Sequence, residues 1–413
     1  MTRAQTRKIL GLAIAAGAAF GLSGCKGHGN YTTEGINRAE ERMAEMKSGT
    51  EWELARQSYL AGDLDKALKK AEISIALNDD VPKSHVLRGR ILLEMGRMDG
   101  ALESFEEALV HDEEFVDAYY YQGIVFERIV KREQALEHFL KAAELDDGKA
   151  QYAIAAAEAM IDLGRIDEAE EFLLSRNEQF QHNPGVRQTL GHISLMTDRN
   201  EQAVELFNEA RLLAPDDNAI IEDLVRAQVL TERFGEAEYN LSQLLADLEP
   251  GQERRDLEHM RARCLVALKR PVEARDLYVS LTEDTAGAAD VEAWAGLGKV
   301  AFALRDDNRL RLAATRVMAL APQRAEGHTL MSLWHHRRGN SLAALDTISN
   351  AIDREPTDVM ALTFHSMILE DLGRFDEAKQ SLAKALDIEP GNPNALAMLG
   401  RLQSGAFATV PVD

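Results

Sequence analysis

The sequence predicts an all-α protein built as a solenoid of repeated helix pairs, and three observations predict it. The first is a phrase stated twice. Ala101-Leu102-Glu103-x-Phe105-x-x-Ala108 recurs as Ala135-Leu136-Glu137-x-Phe139-x-x-Ala142, an offset of 34 residues. Gly89 and Gly123 keep that offset, each twelve residues ahead of its phrase. A period of this length marks a helical repeat, and such an array grows by stacking units and not by enlarging one core. The second is composition, rich in Ala, Leu, Glu and Arg, with 10 Pro and 6% aromatics in 413 residues, as an all-helical chain requires. The third is the placing of small residues. Two antiparallel helices approach closely only where their crossing points carry Gly, Ala or Ser, and large residues beside those points fill the groove.

The first 25 residues stand apart from the repeats. Arg3, Arg7 and Lys8 form a basic start, residues 9–22 are apolar and Ala-rich, and Leu22-Ser23-Gly24-Cys25 follows. The apolar run is short for a membrane-spanning helix, and small residues end it, so residues 1–24 read as a secretory signal peptide. The four residues Leu22 to Cys25 also resemble the bacterial lipobox. That resemblance implies diacylglycerol on the Cys25 thiol, cleavage before Cys25, and further acylation such as palmitate. Lys26 stands where an Asp is the usual inner-membrane retention signal. In a two-membrane cell this is similar to outer-membrane sorting, with the protein facing the periplasm. Several acyl chains on one residue anchor a protein stably without spanning.

Residues 25–47 are expected to be the lipidated cysteine and a tether. The stretch 26–35 is rich in Gly, Asn and Thr and reads as flexible; 37–47 is charged and reads as a short exposed helix. About 20 residues reach at most ~70 Å, so the repeats are expected to work near the membrane.

From residue 48 a 34-residue ruler applies. Each unit has a small residue at position 8, small residues at 20 and 27, a large one at 24 and often Pro at 32. Proline there stops the second helix. Units one to six start at 48, 82, 116, 150, 184 and 218; the period then slips, with units seven to ten starting at 255, 291, 325 and 359. Three units depart from the pattern, unit six by carrying Val225 at position 8. In unit four Arg176 replaces a small residue, and in unit eight Leu310 and Ala314 stand in each other's expected places. A last helix over 393–402 is expected to cap the stack, and the tail 403–413 to fray. The inserts 249–254 and 285–290 are the expected bend points, separating units one to six (48–251) from units seven to ten with the cap (252–402). Gly62, Gly96, Gly164, Gly339 and Gly373 fall in the turn between the paired helices, where they supply positive φ.

This pattern resembles the tetratricopeptide repeat over nearly the whole chain after the tether. The resemblance implies a right-handed superhelix of about ten helix pairs plus the capping helix. It also implies a concave groove, lined by first helices, that binds proteins or extended peptides.

No catalytic constellation stands out, so the protein is expected not to be an enzyme, and to use no cofactor, metal or small-molecule substrate. Gly296-Leu297-Gly298-Lys299-Val300-Ala301 matches a dinucleotide-binding string, but it sits within a helix with no strand before it, whereas that fingerprint needs strand, turn, then helix. Gly298 reads instead as a helix-crossing glycine. His328, His335, His336 and His365 lack an i, i+4 ligand pair with a carboxylate and read as packing or solvated histidines. Cys264 has no partner once Cys25 is lipidated and reads as a buried small hydrophobe. The formal net charge of −22 argues against nucleic acid as a partner.

The resemblance places unit positions 2, 5, 9, 12 and 13 on the groove face. The basic and aromatic residues there are Trp52, Arg56, Tyr59, Arg90, Tyr120, Arg128, His192, Arg226, Arg263, Lys299, His336 and Arg337. Such a stripe on an acidic chain points to a partly acidic, aromatic-containing partner. No Asn accompanies it, so the Lys/Asn/Arg clamp by which some relatives hold acidic chaperone tails is not expected. Similar lipoproteins help assemble pilus or secretion machines, and a scaffold of that kind at the bacterial envelope is the expected role. A polysaccharide-export scaffold, or an adaptor for an envelope protease or cell-wall enzyme, is the alternative. Polysaccharide binding would favour rows of aromatics, and the face has only Trp52, Tyr59 and Tyr120 near one end.

Overall fold

A computed structural model describes residues 30–249, 251–283 and 285–404. The expected signal peptide and Cys25 lie outside them. Among the described residues there are 22 α-helices, one 3-10 turn and no strand.

The helices pair in order. The first five pairs are α1 (Asn30–Leu60) with α2 (Leu64–Leu77), α3 (Pro82–Glu94) with α4 (Met98–His111), α5 (Val116–Arg128) with α6 (Arg132–Leu145), α7 (Ala150–Asp162) with α8 (Ile166–Leu174) and the short α9 (Asn177–Phe180), and α10 (Pro184–Met196) with α11 (Asn200–Leu213). The second five are α12 (Asn218–Leu230) with α13 (Phe234–Ala246), α14 (Arg255–Ala267) with α15 (Pro271–Glu283), α16 (Val291–Ala303) with α17 (Asp307–Leu320), α18 (Ala325–Arg337) with α19 (Ser341–Arg354), and α20 (Val359–Asp371) with α21 (Phe375–Ile388). A single helix, α22 (Pro393–Ser404), follows. From α3 onward each first helix starts at the residue where the sequence ruler starts a unit, the slips before 255 and 291 included.

One backbone feature recurs in all ten pairs. The fifteenth residue of every unit has positive φ, from Gly62 (77°) and Gly96 (74°) to Gly339 and Gly373 (both 73°). Five of the ten are not glycine: Val130 (61°), Asp198 (57°), Glu232 (57°), Lys269 (57°) and Arg305 (60°). Glycine is the residue for which this conformation carries no Cβ penalty, so the other five turns hold it against a local cost. At the start of several helices an aspartate accepts from a free N–H of the first turn: Asp63 from Lys66, Asp306 from Arg309 and Asp358 from Ala361.

The described residues divide into two compact bodies, one up to Thr189 and one from Leu190. The division falls at Thr189–Leu190 and not at either insert. Both inserts are tied to the repeat before them. Arg254 donates to both carboxylate oxygens of Glu222, at 2.8 and 2.9 Å. Asp290 accepts from Arg255 at 2.8 Å and pairs with His259 at 2.7 Å, and the Trp294 indole donates to the Gly287 carbonyl at 3.1 Å.

In the first body, residues 30–35 are helical, although their composition reads as flexible. They belong to α1, which runs unbroken through 37–47. Helix propagation is far easier than nucleation, so a docked turn extends outward, here with an Arg38–Glu34 pair at 2.7 Å. Packing begins at Ser48, whose hydroxyl donates to the Ser74 carbonyl at 2.9 Å. Arg176, the departure in unit four, marks a break between α8 and α9. Its guanidinium stacks 3.9 Å from the Phe172 ring centre and donates to the Phe172 carbonyl. In the second body, unit eight keeps a full second helix. Leu310 and Ala314 are both fully buried, so the large and small residues trade places without loss of packing.

Candidate protein-binding groove

The expected groove residues fall into separate local arrangements. In the first body, Trp52 donates to the Lys83 carbonyl at 3.2 Å, with the Lys83 ammonium 4.8 Å from its ring centre. Arg90 stacks between Tyr59 at 5.1 Å and Tyr121 at 4.8 Å. Tyr120 is half-buried among Tyr121, Phe139 and Tyr152, and burial pushes its phenol above the usual range. In the second body, His192 and Arg226 converge on one buried carboxylate, Asp223, each at 2.7 Å.

The cations of the stripe are largely matched within the chain. Arg56 pairs with Glu53 at 2.8 Å, Arg128 with Glu94 at 3.5 Å, Arg226 with Asp223, Lys299 with Glu326 at 3.6 Å, and Arg337 with Asp307 at 3.2 Å. Arg263 is exposed. The stripe is therefore less basic than its residue types imply. Two of these pairs lie within one helix, Arg56 with Glu53 and Arg226 with Asp223, and the other three join neighbouring units.

Three predicted residues, Lys299, His336 and Arg337, line one feature of the second body. It is a trough over the first helices α16, α18 and α20. One depression of about 500 Å³ is lined by Lys299, Phe302, Leu333, Met360 and Phe364 among others. A second, of about 820 Å³, shares Phe302, Leu333 and Phe364 and adds Arg305, His336, Arg337 and Met367. Met360, Phe364 and Met367 also line a third of about 480 Å³ beside α22. The floor is apolar. Phe302 is 37% and Met360 62% exposed, so large hydrophobic area is left open to water. Arg337 fixes one wall by donating to the Phe302 carbonyl at 3.2 Å and lying 5.5 Å from the Phe302 ring centre.

Sequence reasoning that looked for basic and aromatic groups missed this floor. The signal was present: Phe302 stands at unit position 12, Met360 at position 2, and Leu333 and Met367 at position 9. Counting apolar residues at those positions would have found it.

The remaining motifs resolve as packing. A Cβ on Gly296 would lie 2.3 Å from Tyr278, and one on Gly298 would lie 2.6 Å from Leu330. Both glycines thus serve close helix approach inside α16. His335 packs edge-on against Trp334, His336 against Phe364, and His365 pairs with the Ser381 hydroxyl at 2.7 Å. Among the described residues no cluster of three or more His, Cys, Asp or Glu could hold a metal, and no helix is long and apolar enough to cross a membrane. Cys264 is buried, and burial pushes its thiol up to about 11.

Stacked helix pairs with an open apolar trough define a repeat protein of the scaffold class. The tetratricopeptide repeat family models match residues 53–113, 86–150, 150–174 and 361–392. The chain is a tetratricopeptide repeat protein. Repeats of this family are generally non-catalytic scaffolds for protein–protein interaction. Protein CTR9 homolog of Arabidopsis thaliana is 26% identical over 172 residues, 40% of this chain and 16% of that protein, so the match spans only a small part of the relative. Among solved structures, a tetratricopeptide repeat protein from Parabacteroides merdae is 16% identical, covering 57% of this chain and 92% of that one, with TM-score 0.43. The Pseudomonas aeruginosa pilF structure is 14% identical, covering 60% and 96%, with TM-score 0.39. None of these likenesses bears on what this chain binds.

Proposed function

We propose that this protein is a lipid-anchored scaffold at the bacterial cell envelope, most simply one that serves the assembly of a pilus or secretion machine. The protein-binding half of this reading is carried by the open trough of Phe302, Leu333, Met360, Phe364 and Met367. Exposed apolar area of this kind on a folded protein marks an interaction surface. The envelope half rests on the basic start, the apolar run and Leu22-Ser23-Gly24-Cys25. With the lipid holding Cys25, α1 sets the distance between the membrane and the repeats. The mechanism is capture and alignment of other proteins, without turnover.

The experiment is site-specific photo-crosslinking in living cells, with the crosslinker placed at Met360 in the trough or at Leu342 of α19, exposed and outside it. Pilus, secretin or secretion components captured from position 360 and not from 342 would support the proposal. A single hydrolase captured there would replace it with an adaptor role. The same proteins from both positions, or none, would overturn the trough as the working surface.

A further inference from the structure

Charge is unevenly spread along this acidic chain. Residues 98–127 hold nine Asp or Glu and no Lys or Arg, whereas residues 293–345 hold eight Lys or Arg and three Asp or Glu. The three acids of the basic stretch are all in use: Asp306 pairs with Arg309, Asp307 with Arg337 and Glu326 with Arg324. Arg311 and Arg316, on α17, have no ion-pair partner among the described residues. Each is held by an indole instead, Arg311 5.8 Å from the Trp334 ring centre and Arg316 5.7 Å from that of Trp294. A guanidinium stacked on a ring keeps its planar fork of N–H groups open to a carboxylate.

The acidic stretch contains α4, which like α17 is a second helix of 14 residues. A helix turns about 100° per residue, which puts Leu312 between Arg311 and Arg316 on the open face of α17. The same turn puts Val110 between Glu106 and Glu107 on the open face of α4. Val110 is 75% and Leu312 49% exposed, and the four charged residues are exposed too. Neither glutamate pairs with a cation among the described residues. Each face is thus an apolar residue edged on both sides by one sign of charge, and the signs are opposite. None of these residues lines the trough.

We propose that α17 docks against α4 of a second copy of this chain, with Leu312 on Val110 and with Arg311 and Arg316 paired to Glu106 and Glu107. Charge selects the occupant. The complement of the arginine face is carried by the same chain, at the same concentration, on a helix of the same length. The contact is head-to-tail, joining the second body of one copy to the first body of another. Each end of a pair therefore keeps one open face, and association grows with concentration. At physiological ionic strength the general repulsion between two acidic copies is screened beyond about 8 Å, which leaves the close pairs to decide. The inference is independent of the trough and of the lipid anchor.

The test is sedimentation velocity of the full chain and of two charge-reversed variants, Arg311→Glu with Arg316→Glu, and Glu106→Lys with Glu107→Lys. The parent should grow in mean mass between roughly 10 and 300 µM. Salt at about 1 M, where charges are screened within about 3 Å, should reverse the growth. Each variant alone carries two faces of one sign, so its association should weaken about tenfold. The two variants mixed should form a one-to-one dimer that grows no further, because one matched pair of faces remains. Circular dichroism should be unchanged, since all four positions are exposed. A parent that stays monomeric, or a mixture that stays monomeric, overturns the proposal. Loss of association in the arginine variant alone also overturns it, because the patch would then meet an acidic surface other than α4. Association that persists in both variants would run through the trough or the first 24 residues and would overturn it equally.

Discussion

Gly89 lies against the ring of Phe105 so closely that a Cβ at Gly89 would stand 2.4 Å from Phe105 Cε1. The relationship recurs at Gly123 with Phe139, at 2.5 Å, and at Gly191 with Phe207, at 2.6 Å. All three phenylalanines are buried. Where the eighth residue is Ala55, the twenty-fourth is the small Ala71. In the three phenylalanine units a glycine at the eighth position makes room for the ring at the twenty-fourth.

Gly89→Ala should destabilise the first body by about 1–3 kcal/mol, the usual cost of overpacking. The pair Gly89→Ala with Phe105→Leu should recover part of that loss, because leucine leaves room for the methyl. Urea denaturation of both variants checks this; equal stability of Gly89→Ala and the parent would show that the ring moves freely.

Val130→Gly should stabilise the protein. Val130 is β-branched, exposed and held at φ 61°. Releasing a left-handed residue gains about 1–2 kcal/mol, and the extra chain entropy of glycine takes back about 0.5–1 kcal/mol. The net gain, of order 0.5–1 kcal/mol, is measurable as a rise in the thermal midpoint. The same substitution at Val125, buried inside α5, should destabilise instead.

Asp290 predicts an acid-sensitive joint in the second body. Burial pushes its carboxyl up, but hydrogen bonds from Arg255, the Ala293 N–H and His259 outweigh this and hold it below the usual range. The folded pKa is thus lower than the unfolded one. The contribution to stability is complete above the ordinary carboxylate pKa of about 4 and is lost as pH falls through the depressed folded value. Asp290→Asn should cost about 1.5–3 kcal/mol at neutral pH, the range for hydrogen bonds to a charged group. It should also flatten the acid limb of the stability profile. An unchanged profile would exclude Asp290 as a titrating group.

Cys25→Ala should move the protein from the membrane fraction to the soluble one without altering its helicity. Continued tight membrane association of the variant would defeat the lipid-anchor reading.

The sequence by itself determined the repeat, its phase and its slips. A helix pair is a local object, and its signals lie within one unit: Gly62 or Gly96 at the turn, Ala67 or Ala101 at the crossing, Pro356 or Pro390 at the stop. Arg176 announced the break between α8 and α9 for the same reason, since a guanidinium cannot occupy a closely packed crossing. The tertiary structure decided what the groove face presents. Whether Lys299 is a free cation depends on Glu326 of the next unit, and Arg254 likewise depends on Glu222. The apolar trough was legible only as isolated residues, Phe302, Leu333, Met360 and Met367, each unremarked in its own unit. Stacking three first helices joins them into one surface, and neither the charge pairs between units nor the exposed apolar area is fixed until neighbouring units have packed.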